Sequence, residues 1–259
     1  MMIRFFRPTV AKLLFAAPWL AYIVLRAAQG WVSDLQEALA ALWPVLPYYC
    51  LGCVLVAYSQ RSDRIAPGRG MAALIVAAIA VDQVAKGGVG LLLAEDQRVP
   101  LVEGWLHLTN IHNTAQSWVA PIWYKPLHAA QAVLVLPLSV LIYRYYISSR
   151  RRSLWADLTL LSMFTVYAAY LCDTLLRGYT LDFLLIPGIV ASDFKDLFVP
   201  ICIASALAEL LSSEHGELLA WRGWQTERES ASRLVKGFVS FAAKDLRSWW
   251  PFSDRERDS

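Results

Sequence analysis

The sequence predicts an all-α polytopic membrane protein, and three observations carry that prediction. Six stretches are largely apolar over about 20 residues, the length needed to cross about 30 Å of hydrocarbon. Hydrophobic residues make up 57% of the chain and charged residues 17%, far to the apolar side of soluble domains. The basic residues gather in short clusters between alternate apolar stretches, as they do in cytoplasmic loops.

In chain order the spans are expected at 10–28, 38–59, 71–94, 127–147, 155–176 and 195–213. Arg61, Arg64 and Arg69 follow the second, and Arg144 with Arg150, Arg151 and Arg152 closes the fourth, which puts both of those loops inside. The loop 95–126 carries only Arg98 and Lys125 and belongs outside, as does the loop after the fifth span, with Arg177 and Lys195 at its edges. Arg4, Arg7 and Lys12 place the N-terminus in the cytoplasm, and six spans return the C-terminus there. The first stretch has a second reading as a cleaved signal peptide, which Arg26 and Pro18 disfavour. Trp31, Trp105, Trp118, Trp123 and Trp155 fall near span ends, as interfacial belts do.

Several function classes lose their evidence. A net charge of +3 argues for no nucleic-acid partner. Cys50, Cys53, Cys172 and Cys202 all lie in apolar stretches, where packing as small hydrophobes is the expected fate. Cys50 and Cys53 have the Cys-x-x-Cys spacing, yet no second pair or nearby His completes a metal site. His107, His112, His128 and His215 are scattered, and there is no zinc, triad or nucleotide fingerprint. No metal and no cofactor is expected.

In the outer loop, residues 105–118 alternate apolar and polar around Leu106, Leu108 and Ile111, which predicts a short strand or hairpin at the membrane surface. From about Ser213 the chain turns polar, and Leu234, Val235, Phe238, Val239, Ala242, Leu246, Trp249 and Trp250 recur at helical spacing. Lys and Arg flank that stripe. An amphipathic helix lying on the cytoplasmic leaflet is the favoured reading, with a solvated or partner-binding tail as the other.

The chemistry is sought among acids at the bilayer, because an ionisable group there costs several kcal/mol and is a functional hypothesis by default. Asp82 and Lys86 stand four apart on one face of the third span, in the acid-first order that suits an ion pair. They either make insertion tolerable or orient another polar group inside the bundle. Asn113 either reaches into the bundle mouth or serves turn chemistry. Asp173 lies about a turn before the end of the fifth span, and Gly178 follows. Asp182 and Phe183 then lead into an apolar loop, Leu184 to Val190, that is expected to dip into the membrane.

Asp193 and Asp196 open the last span, where carboxylates also serve as ordinary caps. Capping needs only one of these acids. Asp182 and Asp196 are fourteen residues apart at the rims of two apolar segments. A carboxylate pair that shares a proton activates water without a metal.

The motif order resembles signal peptidase II, the lipoprotein signal peptidase family, across 71–213. Val-Asp-Gln-Val-Ala-Lys, ending at Lys86, is similar to the family's Asp-Gln-x-x-Lys, and His-Asn-Thr-Ala-Gln-Ser-Trp to its Asn-x-Gly-Ala-Ala-Phe. Ala169, Tyr170, Asp173 and Thr174 fall on Gly-Asn-x-x-Asp-Arg, and Gly178, Leu181, Asp182 and Phe183 on Gly-x-x-Val-Asp-Phe. Residues 192–196 fall on Phe-Asn-x-Ala-Asp.

The resemblance implies a four-helix transmembrane core with a small β-cradle in the outer loop, and a catalytic dyad of Asp182 and Asp196. Asp82, Lys86, Asn113, Gln116, Asp173 and Asp193 would be supporting or substrate-binding residues. It implies an aspartyl endopeptidase of the bacterial inner membrane, working near the outer face. There it would remove signal peptides from lipid-modified prolipoproteins, with prolipoprotein or signal peptide and membrane lipid as partners. On this reading 1–66 is an N-terminal extension with two transmembrane helices, 67–213 the four-span core and 214–259 a cytoplasmic amphipathic tail.

Four departures stand out: Ala169 and Tyr170 replace Gly and Asn, Thr174 replaces Arg, and Asp193 replaces Asn. The extra charge of Asp193 is expected to raise one dyad pKa. Two alternatives stay open, an inactive relative that binds lipoprotein or signal peptide, and a proton-coupled carrier.

Overall fold

A computed structural model describes residues 5–32, 34–66, 68–114, 125–149, 152–212 and 224–249. Among these, helix α1 spans Val10–Ala28, α2 Leu35–Leu42, α3 Val45–Ser59 and α4 Gly68–Leu92. Strands β1, Arg98–Val102, and β2, Leu106–Asn113, follow. Next come α5, Lys125–Ser149, and α6, Leu154–Leu176, then β3, Thr180–Ile186, and β4, Val190–Ser192. Helix α7 covers Phe194–Leu210 and α8 Trp224–Trp249. The chain is thus a polytopic helical membrane protein with one small β element.

Among the described residues, five helical segments are long and apolar enough to cross a bilayer, α2 and α3 counting together as one. The second of the expected spans is broken at Trp43 and Pro44, because Pro44 and Pro47 withhold backbone donors from a continuous helix. The sixth is shorter than expected. Helix α7 has 17 residues, about 25 Å at 1.5 Å per residue. Its first turn carries Lys195 and Asp196 instead of lipid-facing side chains.

Helices in lipid associate by close packing, so small residues mark their contacts. Ala40, Ala41, Ala169, Ala204 and Ala208 are all buried. At the crossing of α3 with α1, a Cβ on Gly52 would meet the Lys12 carbonyl oxygen at 2.8 Å and the Phe15 side chain just beyond. Trp19 donates from Nε1 to the Ala41 carbonyl at 2.8 Å, which ties α1 to the end of α2. Helix α1 also packs on α7, α4 and α5 flank α6, and α6 lies along α7.

The expected outer hairpin is present as β1 and β2, but it is half of a larger sheet. Four antiparallel strands run in the order β1-β2-β3-β4. The segment Leu184–Val190, expected to dip into the membrane, is instead the β3–β4 hairpin, closed by Pro187 and Gly188 with φ +74°. Proline before a glycine of positive φ is the composition of a type II turn, and Ile189 N–H donates back to Ile186 O at 3.0 Å. Strand β3 read as a membrane segment because both of its faces are buried. Leu181 and Phe183 pack on Val89 of α4, while Ile186, Ile189 and Val190 join Trp19, Tyr22 and Tyr48 of the N-terminal helices.

The amphipathic helix α8 forms as expected, and part of its apolar stripe is docked on protein. Phe238 and Phe241 pack on the Tyr145 ring of α5, and Arg144 pairs with Asp245 at 2.7 Å.

Candidate active site

Helix α6 ends where the site begins. Gly178, at φ +74°, terminates the helix and donates to the Asp173 and Thr174 carbonyls, a glycine-specific stop that turns the chain straight into β3. Asp182 therefore arrives close to the bundle, on the face of β3 opposite Leu181 and Phe183. Strand β2 pairs with β3 so that Ile111 sits opposite Asp182, which brings Asn113 to the same face two residues along. Asn113 Nδ2 donates to Asp182 Oδ2 at 2.7 Å. The other oxygen, Asp182 Oδ1, is buried with no hydrogen-bond partner among the described residues.

Strand β4 delivers the second carboxylate. Asp193 is the N-cap of α7, and with Asp196 it forms a reciprocal capping box. Asp196 N–H donates to Asp193 Oδ1 at 3.1 Å, and Asp193 N–H donates to Asp196 Oδ2 at 3.3 Å. Both acids cap the helix, although capping needs only one. The cap also fixes geometry: carboxylate oxygens of Asp182, Asp193 and Asp196 lie within 4.8 Å of one another.

A cationic support lies under this cluster. Lys86, fully buried, places Nζ 2.6 Å from Asp82 Oδ2, 2.6 Å from Asp173 Oδ2 and 2.7 Å from Asp193 Oδ2. The Asp82 and Lys86 pair therefore does more than ease insertion, since it joins α4 to α6 and to the cap of α7. Asp82 Oδ1 also accepts the Lys195 backbone N–H at 3.3 Å. Gln83 bridges Asp82 and Asp173, and Arg177 donates to Gln83 Oε1 at 2.6 Å and to Asp173 Oδ1 at 3.3 Å.

Lys195, Arg177 and Gln83 were missed as site residues. Lys195 and Arg177 looked like charges marking loop edges, yet the Lys195 ammonium bonds Asp193 and lies 3.5 Å from Asp173. Gln83 stands at the Gln of the Asp-Gln-x-x-Lys match and Lys195 inside the 192–196 match, whereas the sequence signal of Arg177 was only its position four residues after Asp173. Arg177 contacts Asp173 from four residues on, although Thr174 leaves the adjacent motif position without its Arg. Gln116 and Trp118 lie outside the described residues.

Five carboxylates and three cations thus share one site. Asp193 is held below the usual carboxylate range: burial opposes its ionisation, but Lys195 and Lys86 outweigh it. Asp182 is pushed well above that range, first by burial, then by the charge of Asp196, with Asp193 a smaller contributor. The expected effect of Asp193 is present but secondary. Two acid triads have the spacing to hold a cation, Asp82, Asp173 and Asp193, and Asp182, Asp193 and Asp196. Lys86 Nζ already bonds all three acids of the first, and Lys195 bonds Asp193 of the second.

Comparison with known proteins agrees on the fold. Two solved structures, each described as a bacterial membrane enzyme structure obtained by the in meso method, superpose with TM-scores of 0.52 and 0.51. They are 14% and 15% identical to this chain, cover 60% and 59% of it, and are themselves covered to 94% and 99%. No curated protein sequence matches the chain. The family described as signal peptidase (SPase) II matches residues 74–212, more than half of the sequence, and the chain belongs to the signal peptidase II family.

Proposed function

We propose that this protein is an aspartyl endopeptidase of the lipoprotein signal peptidase type, with Asp182 and Asp196 as its catalytic dyad. The observation that carries the reading is the convergence of these two carboxylates at the sheet-to-bundle junction, within 4.8 Å and held by separate elements. Asp182, buried and facing a second negative charge, holds the shared proton. Asp196, at the positive end of α7, stays ionised.

A water between them gives a proton to Asp196 as its oxygen attacks the scissile carbonyl, while Asp182 donates its proton to the developing oxyanion. Asn113 donates to Asp182 Oδ2, so the buried, unpartnered Oδ1 is the oxygen that carries the proton to be given to the scissile carbonyl. Asn113 orients Asp182, and Asp82, Lys86, Asp173 and Asp193 hold the start of α7 so that Asp196 keeps its place. Basic loops after α3 and at the end of α5 support an orientation with both termini in the cytoplasm and this site near the outer face of the bacterial inner membrane. The substrate is a lipid-modified prolipoprotein presented from the bilayer, cut by the core over 67–213, with 1–66 and 214–259 as additions to it.

The test is a gel-shift cleavage assay on purified protein given a diacylglyceryl-modified prolipoprotein. Wild type should process it, and Asp182→Asn and Asp196→Asn should each abolish processing while retaining substrate. Undiminished cleavage by either variant would remove the dyad. The replacements at Ala169, Tyr170 and Thr174 favour a second reading, a relative that binds but does not cut. Retention without processing by the wild type would select it.

A further inference from the structure

A cavity of about 620 Å³ opens beside Asp182. Strands β2 and β3 and the β3–β4 turn line it with Asn113, Asp182 and Ile189, and β1 adds Arg98. Strand β4 contributes Val190 and Ala191, and the N-terminal part of the wall is Arg26, from the last turn of α1, and Trp31 just beyond it. Both precede residue 74, where the family match begins, so the N-terminal segment completes a pocket whose other walls belong to the family core.

Arg26 is held in place by neutral partners. Its Nε donates to Tyr22 Oη at 2.8 Å, its Nη1 approaches Gln29 Oε1 at 3.5 Å, and the guanidinium lies 4.2 Å from the Trp31 ring centroid. Tyr22 in turn donates to the Ile189 carbonyl at 3.4 Å, which anchors the assembly to the β3–β4 turn. Glu37 lies against Gly188 at the rim, yet neither Arg26 nor Arg98 forms an ion pair among the described residues. Arg144 and Arg177, by contrast, are each matched to a carboxylate. Guanidinium groups oriented but not neutralised, on the wall of one concave site, form a receptor for a carboxylate or phosphate.

We propose that the N-terminal extension builds a specificity subsite in which Arg26 and Arg98 bind an acidic side chain of the polypeptide substrate, just after the cut bond. The proposal rests on the peptidase reading above. The signal segment of a membrane-borne substrate lies in the bilayer against the apolar helices, so the chain beyond the cut is what passes the sheet. The cavity shares a wall with Asp182, so a group seated there is continuous with the bond being cut. A lipid phosphate offers the same chemistry to the two arginines, and the experiment separates the two sources.

Binding and cleavage are measured for two diacylglyceryl-modified prolipoproteins that differ only in carrying Asp or Asn at the two positions after the modified Cys. The full chain is used in zwitterionic detergent, as wild type, Arg26→Gln and Arg98→Gln. Wild type should bind the acidic substrate about tenfold more tightly, the worth of one charge-assisted hydrogen bond. Each variant should reduce that ratio at least threefold. Arg98 is exposed on an edge strand, so its replacement tests the idea even where Arg26→Gln disturbs α1.

Equal wild-type binding of the two substrates, or a ratio unchanged in both variants, would overturn the subsite. So would a gain in affinity for both substrates alike on adding phosphatidylglycerol, lost in the two variants, because that marks a headgroup pocket. A binding preference with neither substrate cleaved would keep the subsite and overturn the peptidase reading. Cleavage of both without any preference would do the reverse.

Discussion

Replacing Lys86 with Met should loosen the whole junction between bundle and sheet. The ammonium sits 2.6 Å from Asp82, 2.6 Å from Asp173 and 2.7 Å from Asp193, and none of the three acids is more than 1% exposed. Met preserves the length and apolar stem of the side chain, so the change isolates the charge. Removing one partner from a buried ion pair costs about 3–5 kcal/mol, because the stranded charge has no water to turn to. Lys195 and Arg177 remain nearby as cations, so that cost is counted once, not for each acid. At about 2–4 °C per kcal/mol for a chain of this size, Tm should fall by roughly 6–20 °C.

The assay is thermal unfolding of purified protein in detergent, followed by tryptophan fluorescence and by the fraction surviving size exclusion after heating. Adding Asp173→Asn to Lys86→Met removes one stranded charge and should recover part of the loss, a coupling that independent sites would not show. A Lys86→Met protein melting within about 2 °C of wild type would refute the claim that this ammonium holds α4, α6 and α7 together.

Other perturbations probe the proposed dyad and the N-terminal helices. Asp182 has its pKa raised, so it holds its proton more tightly folded than unfolded, and stability is lost as pH rises from the ordinary carboxylate range through the raised value. Asp182→Asn, which cannot ionise, should therefore melt higher than wild type at neutral pH, with the gap closing near pH 3, as thermal scans across pH would read. Asn113→Ala removes a donor that favours ionised Asp182, so the alkaline limb of the cleavage pH profile should move up, and an unmoved limb would detach Asn113 from the proposed dyad. Gly52→Val would force a side chain into the Lys12 carbonyl and Phe15, and should lower Tm by the equivalent of about 1–3 kcal/mol in the same thermal assay.

The outer hairpin was legible because β2 alternates apolar and polar residues, whereas β3 and β4 were not. From Thr180 to Ile186 nearly every side chain is buried, so the period of two is absent and the segment reads like a stretch bound for lipid. Proline spacing at Pro44 and Pro47 carried the break in the second span, but an apolar run of sufficient length concealed it. The apolar stripe of α8 was visible, and its docking on Tyr145 was not, since an amphipathic face does not name what covers it.

By itself the sequence determined what is local or one-dimensional: apolar length, basic loops, a helix-spaced stripe, and the separation of acids along the chain. It therefore set the membrane-spanning class and singled out Asp82, Lys86, Asn113, Asp173, Asp182, Asp193 and Asp196. Which charge meets which was decided only by the fold. Lys86 reaches Asp173 across 87 residues and Asn113 reaches Asp182 across 69. Lys195 and Arg177, which on the chain resemble loop charges, become site cations, the first buried and the second partly exposed, because the stop at Gly178 and the cap at Asp193 turn them inward. Ion pairing depends on distance through space at a low dielectric, and that distance is fixed only when the helices and sheet have packed.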